Sequence, residues 1–192
     1  MRWLPVLSAA FMLAAAPTAV LATSSVSIAI AGEAYEGAPT FQIRMGDLVI
    51  GQGVVAKAID TETEGRLFGA PSPLPYLEHF DFEVPDADFL ADAPISIVLT
   101  NDRYLDTGDG YDRNLFIQQI VVNGVAIPGE RIKILEYGSV EVDVPMHMGL
   151  RPLYGSGQVA IVAPPPQGWP ALGAVGAVEA IVPLPPPRPS GM

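Results

Sequence analysis

Four aspartates fall within eleven residues of this chain, at Asp102, Asp106, Asp109 and Asp112, with Asn101 and Asn114 beside them. Two unit charges about 4 Å apart at a protein surface interact by about 4 kcal/mol. A short connection carrying four carboxylates therefore either splays into water or is neutralised by a cation. Apolar runs on both sides, residues 95–100 (ISIVLT) and 115–122 (LFIQQIVV), pin its ends and oppose free splaying. The nearby donors are all oxygens, because the chain has no cysteine and neither His79 nor His147 falls in the segment. Oxygen donors select a hard divalent ion, calcium above all. Asp102 and Asp112 would clamp the ion from the two strand ends. Asp106, Asp109, the Tyr111 carbonyl and Asn114 are candidates for the remaining positions. The competing reading is that these aspartates cap turns, which Asp and Asn often do. An EF-hand is excluded, since the segment lacks the required glycine and terminal glutamate spacing and has no flanking helices.

Other side chains in the segment admit two uses. Tyr104 and Tyr111 could each present an aromatic face to a sugar ring with the hydroxyl left wet, or simply cover a sheet edge. Arg113 either donates to a sugar or serves as an internal partner for a carboxylate. Asn114 either joins the metal set or fixes the loop through its amide. His79, His147 and Trp169 have no partner legible in the sequence, and Trp169 is expected to be exposed.

These groups must be positioned by strands. Residues 25–31, 41–45, 76–84, 95–100, 115–122, 132–135, 140–144 and 159–162 alternate apolar and polar positions or form short apolar runs. Gly, Pro, Asn and Asp separate them. Period-two patterning in runs of this length predicts antiparallel sheets, and several of them predict an all-β sandwich of jelly-roll type. Asn123-Gly124 between two apolar runs predicts a hairpin turn. No convincing helical period appears after the first 22 residues.

Those first 22 residues read as a secretory signal peptide, with Arg2 at the start, an apolar stretch from 6 to 16 and a small-residue cleavage pattern at Val20-Leu21-Ala22. The folded domain is expected over residues 24–163. Residues 164–192 open on three prolines and close on VPLPPPRPSGM, which predicts an extended, disordered tail. Without cysteine the exported chain holds together by core burial alone. A net charge of −11 disfavours nucleic acid and anionic membranes as partners. Neutral polymers and cations suit it better.

The stretch NDRYLDTGDGYDRNLFIQQIVVNG resembles the calcium-dependent, xylan-binding carbohydrate-binding modules, families 36 and 60 in particular. The resemblance rests on Asn101-Asp102, on Asp112-Arg113-Asn114-Leu115 and on the strand running into Val122-Asn123-Gly124. It extends weakly to Gly32, Gly37-Ala38-Pro39, residues 41–46, and Tyr154-Gly155-Ser156-Gly157. What it implies is a secreted, non-catalytic β-sandwich whose loop calcium coordinates vicinal hydroxyls of a xylan-like polysaccharide. The chain departs from the pattern in the residues between Asp102 and Asp112 and in lacking a cysteine pair near its C-terminal end.

A glycoside hydrolase fits poorly, because two carboxylates on separate elements must flank a cleft, whereas the clustered acids here share one loop. No Gly-x-Ser-x-Gly, His-Glu-x-x-His or phosphate-binding glycine loop is present. The rival reading is structural: a secreted β-sandwich of a matrix, adhesin or filament, with calcium only stiffening a loop.

Overall fold

The computed structural model describes residues 23–106 and 110–172. The expected signal peptide, residues 173–192 of the expected tail, and Asp109 lie outside the described residues. Among the described residues, alternating side chains generate fourteen strands. They are β1 (Thr23–Ala34), β2 (Thr40–Met45), β3 (Leu48–Val54), β4 (Ile59–Asp60), β5 (Glu78–Pro85), β6 (Ile95–Leu99) and β7 (Tyr104–Leu105). They continue with β8 (Tyr111–Asp112), β9 (Asn114–Val122), β10 (Val125–Pro128), β11 (Lys133–Glu136), β12 (Val140–Val142), β13 (Arg151–Tyr154) and β14 (Gln158–Val162). The only helical elements among the described residues are three short 3₁₀ turns. One of them, Leu74–Tyr76, replaces the start expected for the strand at 76–84, because Pro73 and Pro75 cannot donate to a ladder.

One sheet centres on β1, which pairs with β9 on one side and with β5 and then β4 on the other; β9 in turn pairs with β10 and β13. The second sheet runs β12-β11-β14-β6-β2-β3. Every pairing is antiparallel except the short β1–β4 contact. The inward faces meet as expected for an antiparallel β-sandwich. Val26, Ile28 and Ile30 of β1 and Leu115, Ile117 and Ile120 of β9 are buried, as are Phe41, Ile43 and Met45 of β2 and Ile95, Ile97 and Leu99 of β6.

The sequence pattern passes over β3 because Gly51 and Gly53 interrupt it, and the structure gives the reason for both. A Cβ on Gly51 would lie 2.0 Å from the Phe82 ring, and one on Gly53 would lie 2.6 Å from the Phe41 ring. Aromatic rings occupy the space that side chains on β3 would need. The Asn123-Gly124 turn forms as expected, both residues at positive φ and Val122 facing Val125.

Trp169 departs from the expectation of exposure. Its ring is buried in the core, its indole N–H donates to Ala93 O at 2.7 Å, and its backbone N–H donates to Ala91 O at 2.7 Å. The Asn123 side chain adds a bond to Pro170 O at 2.7 Å. Packing therefore continues past Ala163. The large apolar ring outweighs the extended bias of Pro164, Pro165 and Pro166, since indole burial is worth several kcal/mol.

Candidate functional site

The 100–114 connection leaves β6 at one end of the sandwich, projects as the hairpin β7–β8 and returns into β9. Its base is braced from inside. The Arg113 guanidinium donates to Gly37 O at 3.0 Å, to Tyr35 O at 2.6 Å, to Glu36 O at 2.8 Å and to Asn101 O. Arg113 is buried, and its main-chain N–H bonds Arg103 O at 2.9 Å. Main-chain carbonyls take its donors, and among the described residues no carboxylate pairs with it. Five donors in a rigid fork suit convergent carbonyls, which explains why arginine stands there. Asn101 completes the brace, accepting from Thr40 N–H at 2.7 Å and donating to Ala38 O at 2.9 Å.

Successive strand residues face opposite ways, so Asp112 and Asn114 share the side that Arg113 leaves. Asp112 accepts from its neighbour Arg113 N–H at 2.8 Å and from the Asn114 side-chain amide at 2.9 Å. That amide also donates to Glu33 at 2.7 Å, and Arg66 reaches Glu33 at 2.8 Å and Asp112 at 3.5 Å. Glu33 is fully buried and takes a third bond from Leu67 N–H at 2.7 Å. Burial pushes the Asp112 carboxyl above the usual aspartate range, against its hydrogen bonds from Asn114 and Arg113 and the charge of Arg66. Burial alone would lower the Arg66 guanidinium, but its bond to Glu33 and the Glu33 charge outweigh that and raise it. The nearby Tyr154 phenol is pushed up to about 12, by burial first and then by the Glu33 charge. Asn114 Oδ1 is buried in this cluster with no hydrogen-bond partner among the described residues.

Among the described aspartates of the segment, Asp102 stands apart from Asp112. The Asp102 carboxylate turns to the β13–β14 connection, accepting from Ser156 N–H at 3.1 Å. Gly155 permits this approach, since a Cβ there would meet Asp102 Oδ2 at 3.2 Å and its φ is +84°. The β7–β8 register sets Tyr104 opposite Asp112 and Leu105 opposite Tyr111, leaving Asp106 exposed near the hairpin tip. The Tyr104 hydroxyl is raised by partial burial, then by the Asp106 charge and hydrogen bond and by the Asp112 charge, so both carboxylates act on it. Tyr104 is 59% exposed. Tyr111 instead lies half-buried with its ring 5.5 Å from that of Tyr35, which is the edge-covering role. Beside it an open depression of about 340 Å³ is lined by Thr61, Glu62, Thr63, Gly65, Arg66 and Tyr111.

Among the described residues no group of three or more Asp, Glu, His or Cys side chains is placed to hold a metal. The loop and the start of β9 do carry oxygen donors of the kind calcium accepts, in Asp106, Asp112 and Asn114 Oδ1.

Glu33 and Arg66 are the members that sequence reasoning missed. A glutamate inside the apolar strand SVSIAIAGEA was a usable signal, because a buried charge needs a partner. Nothing local marked Arg66 as that partner. His147 finds an aromatic neighbour, with its ring 4.1 Å from that of Phe68.

No protein-family model matches the chain, and no curated protein matches it. Two solved structures are similar to it in outline. One is the selenomethionine form of vCBM60, described in terms of a circular permutation linking two families of calcium-dependent carbohydrate binding modules; its TM-score is 0.42 at 15% identity, over 73% of this chain and 91% of that one. The other is vCBM60 in complex with galactobiose, with a TM-score of 0.36 at 13% identity, over 72% and 95% of the two chains.

Proposed function

We propose that this chain is a secreted, non-catalytic carbohydrate-binding module that retains a xylan-like polysaccharide at the β7–β8 end of its sandwich, with calcium held by the hairpin. The observation that supports the reading is the Asp112-Arg113-Asn114 stretch: Arg113 locks the loop base while its two neighbours lie on the other side, bonded to each other. Asp106, Asp109 and Asp112 would hold the ion, with Asn114 Oδ1 as a further candidate oxygen. Calcium bound there would offer open coordination positions to adjacent sugar hydroxyls.

The remaining work belongs to the chain's own groups. Arg113 fixes the height of the loop over the sheet. Arg66 neutralises Glu33 and steadies Asp112. Exposed Tyr104 presents a ring face beside the site. Asp102 belongs to the support, tying the loop to Ser156. Two features favour binding over hydrolysis. Glu33 is sealed from solvent, and Glu33 and Asp112 both bond one amide nitrogen, which leaves no room for a sugar and water between them.

Isothermal titration against xylan, galactan and glucan, with calcium and with EDTA, tests the reading. Retention that chelation abolishes is expected. Retention indifferent to EDTA would remove the metal from the account, and no retention on any glycan would favour a structural role.

A further inference from the structure

Tyr137 stands at the tip of the β11–β12 hairpin and is 86% exposed. Its φ is +50° and that of Gly138 is +74°, with Ser139 N–H closing the turn onto Glu136 O at 3.1 Å. Both central positions of such a turn favour Asn, Asp or Gly, and a bulky side chain there is an outlier. Asn123-Gly124 carries the preferred residue in such a turn, whereas Met148-Gly149, which closes His147 onto Leu150, carries an exposed methionine there. At residue 137 a large aromatic is thus held in an unfavourable conformation with almost none of its surface buried in return.

Its surroundings show where the ring is displayed. Tyr137 N–H donates to Gly157 O at 2.8 Å, and a Cβ on Gly157 would sit 3.8 Å from Tyr137 Cε1. The ring therefore rides on the 155–157 turn, the same turn that Asp102 grips through Ser156 N–H. The start of the 100–114 connection, the 155–157 turn and Tyr137 thus lie at the same end of the second sheet. We infer that Tyr137 is a stacking platform for a second sugar ring of a chain that also engages the β7–β8 hairpin. The inference rests on the carbohydrate-binding reading. A pyranose presents an apolar face of C–H groups that an exposed phenol ring covers, while the hydroxyl stays hydrated.

The test compares Tyr137→Asn, Tyr137→Phe and the unmodified protein in affinity gels containing soluble xylan, galactan or β-glucan with calcium present. Asn supplies the residue the turn prefers, so Tyr137→Asn should melt at or slightly above the unmodified protein while its glycan affinity falls about tenfold, the worth of one lost stacking contact. Tyr137→Phe should bind as before. A Tyr137→Trp variant should change its emission on titration with the retained glycan. Unchanged affinity in Tyr137→Asn would overturn the proposal and leave the module reading intact. A fall in melting temperature of many degrees would overturn it too, by giving the ring a packing role. Failure of the unmodified protein to bind any of the three glycans would overturn both readings.

Discussion

Replacing Arg113 by leucine removes a guanidinium that serves four carbonyls while leaving the neighbouring carboxylates untouched. The Tyr35 carbonyl bond is buried, whereas those to Glu36, Gly37 and Asn101 are only partly so. A buried acceptor stripped of a charged donor loses about 2 kcal/mol, and a carbonyl that water can reach loses about 0.5–1 kcal/mol. The sum is about 4 kcal/mol. For a domain of this size that lowers the melting temperature by about 12 °C. Arg113→Lys should recover less than half, because one ammonium cannot reproduce a fork. Differential scanning calorimetry of the three proteins measures this directly. A loss below about 1 kcal/mol for Arg113→Leu, or full rescue by lysine, would refute the claim that this side chain carries the loop base.

Asp112→Asn should leave the circular-dichroism spectrum and fold intact and abolish calcium-dependent glycan retention; normal retention would remove Asp112 from the site. Trp169→Ala should destabilise by about 3–5 kcal/mol, read from urea unfolding, because a buried indole leaves a cavity and frees the Ala93 carbonyl. Tyr154 keeps its proton above the unfolded value of 10.0, up to about 12, so the folded state binds more protons in that window and stability must fall as pH rises through it. Tyr154→Phe should flatten that alkaline slope in melts between those limits, and an unchanged slope would assign it to another group.

Strands whose one face is buried were legible from their spacing. In β2 and β6 burial alternates residue by residue, and no other period fits. Where the pattern depends on a distant partner, the chain gives no local sign. Gly51 reads as a strand breaker until Phe82 is seen lying over it. Trp169 reads as exposed among prolines until Asn123 and Ala93, far away in sequence, are found bonding the same segment. The site shows the same division. Asp112 and Asn114 announce themselves through a motif, but Arg66 matters only because folding carries it onto Glu33. Asp102 looked like one member of an acidic cluster, and a backbone N–H of Ser156 drew it elsewhere.

The arrangement of β1 has a kinetic consequence. The first strand of the described residues is also the middle of its sheet, and its two main neighbours, β5 and β9, are separated from it by long stretches of sequence. Apart from the β9–β10 hairpin this sheet has no short-range pairing, so β1 joins it only by closing large loops, and refolding belongs on the millisecond-to-second scale of sandwiches rich in distant pairings. Until β9 arrives, one edge of β1 lacks its ladder partner.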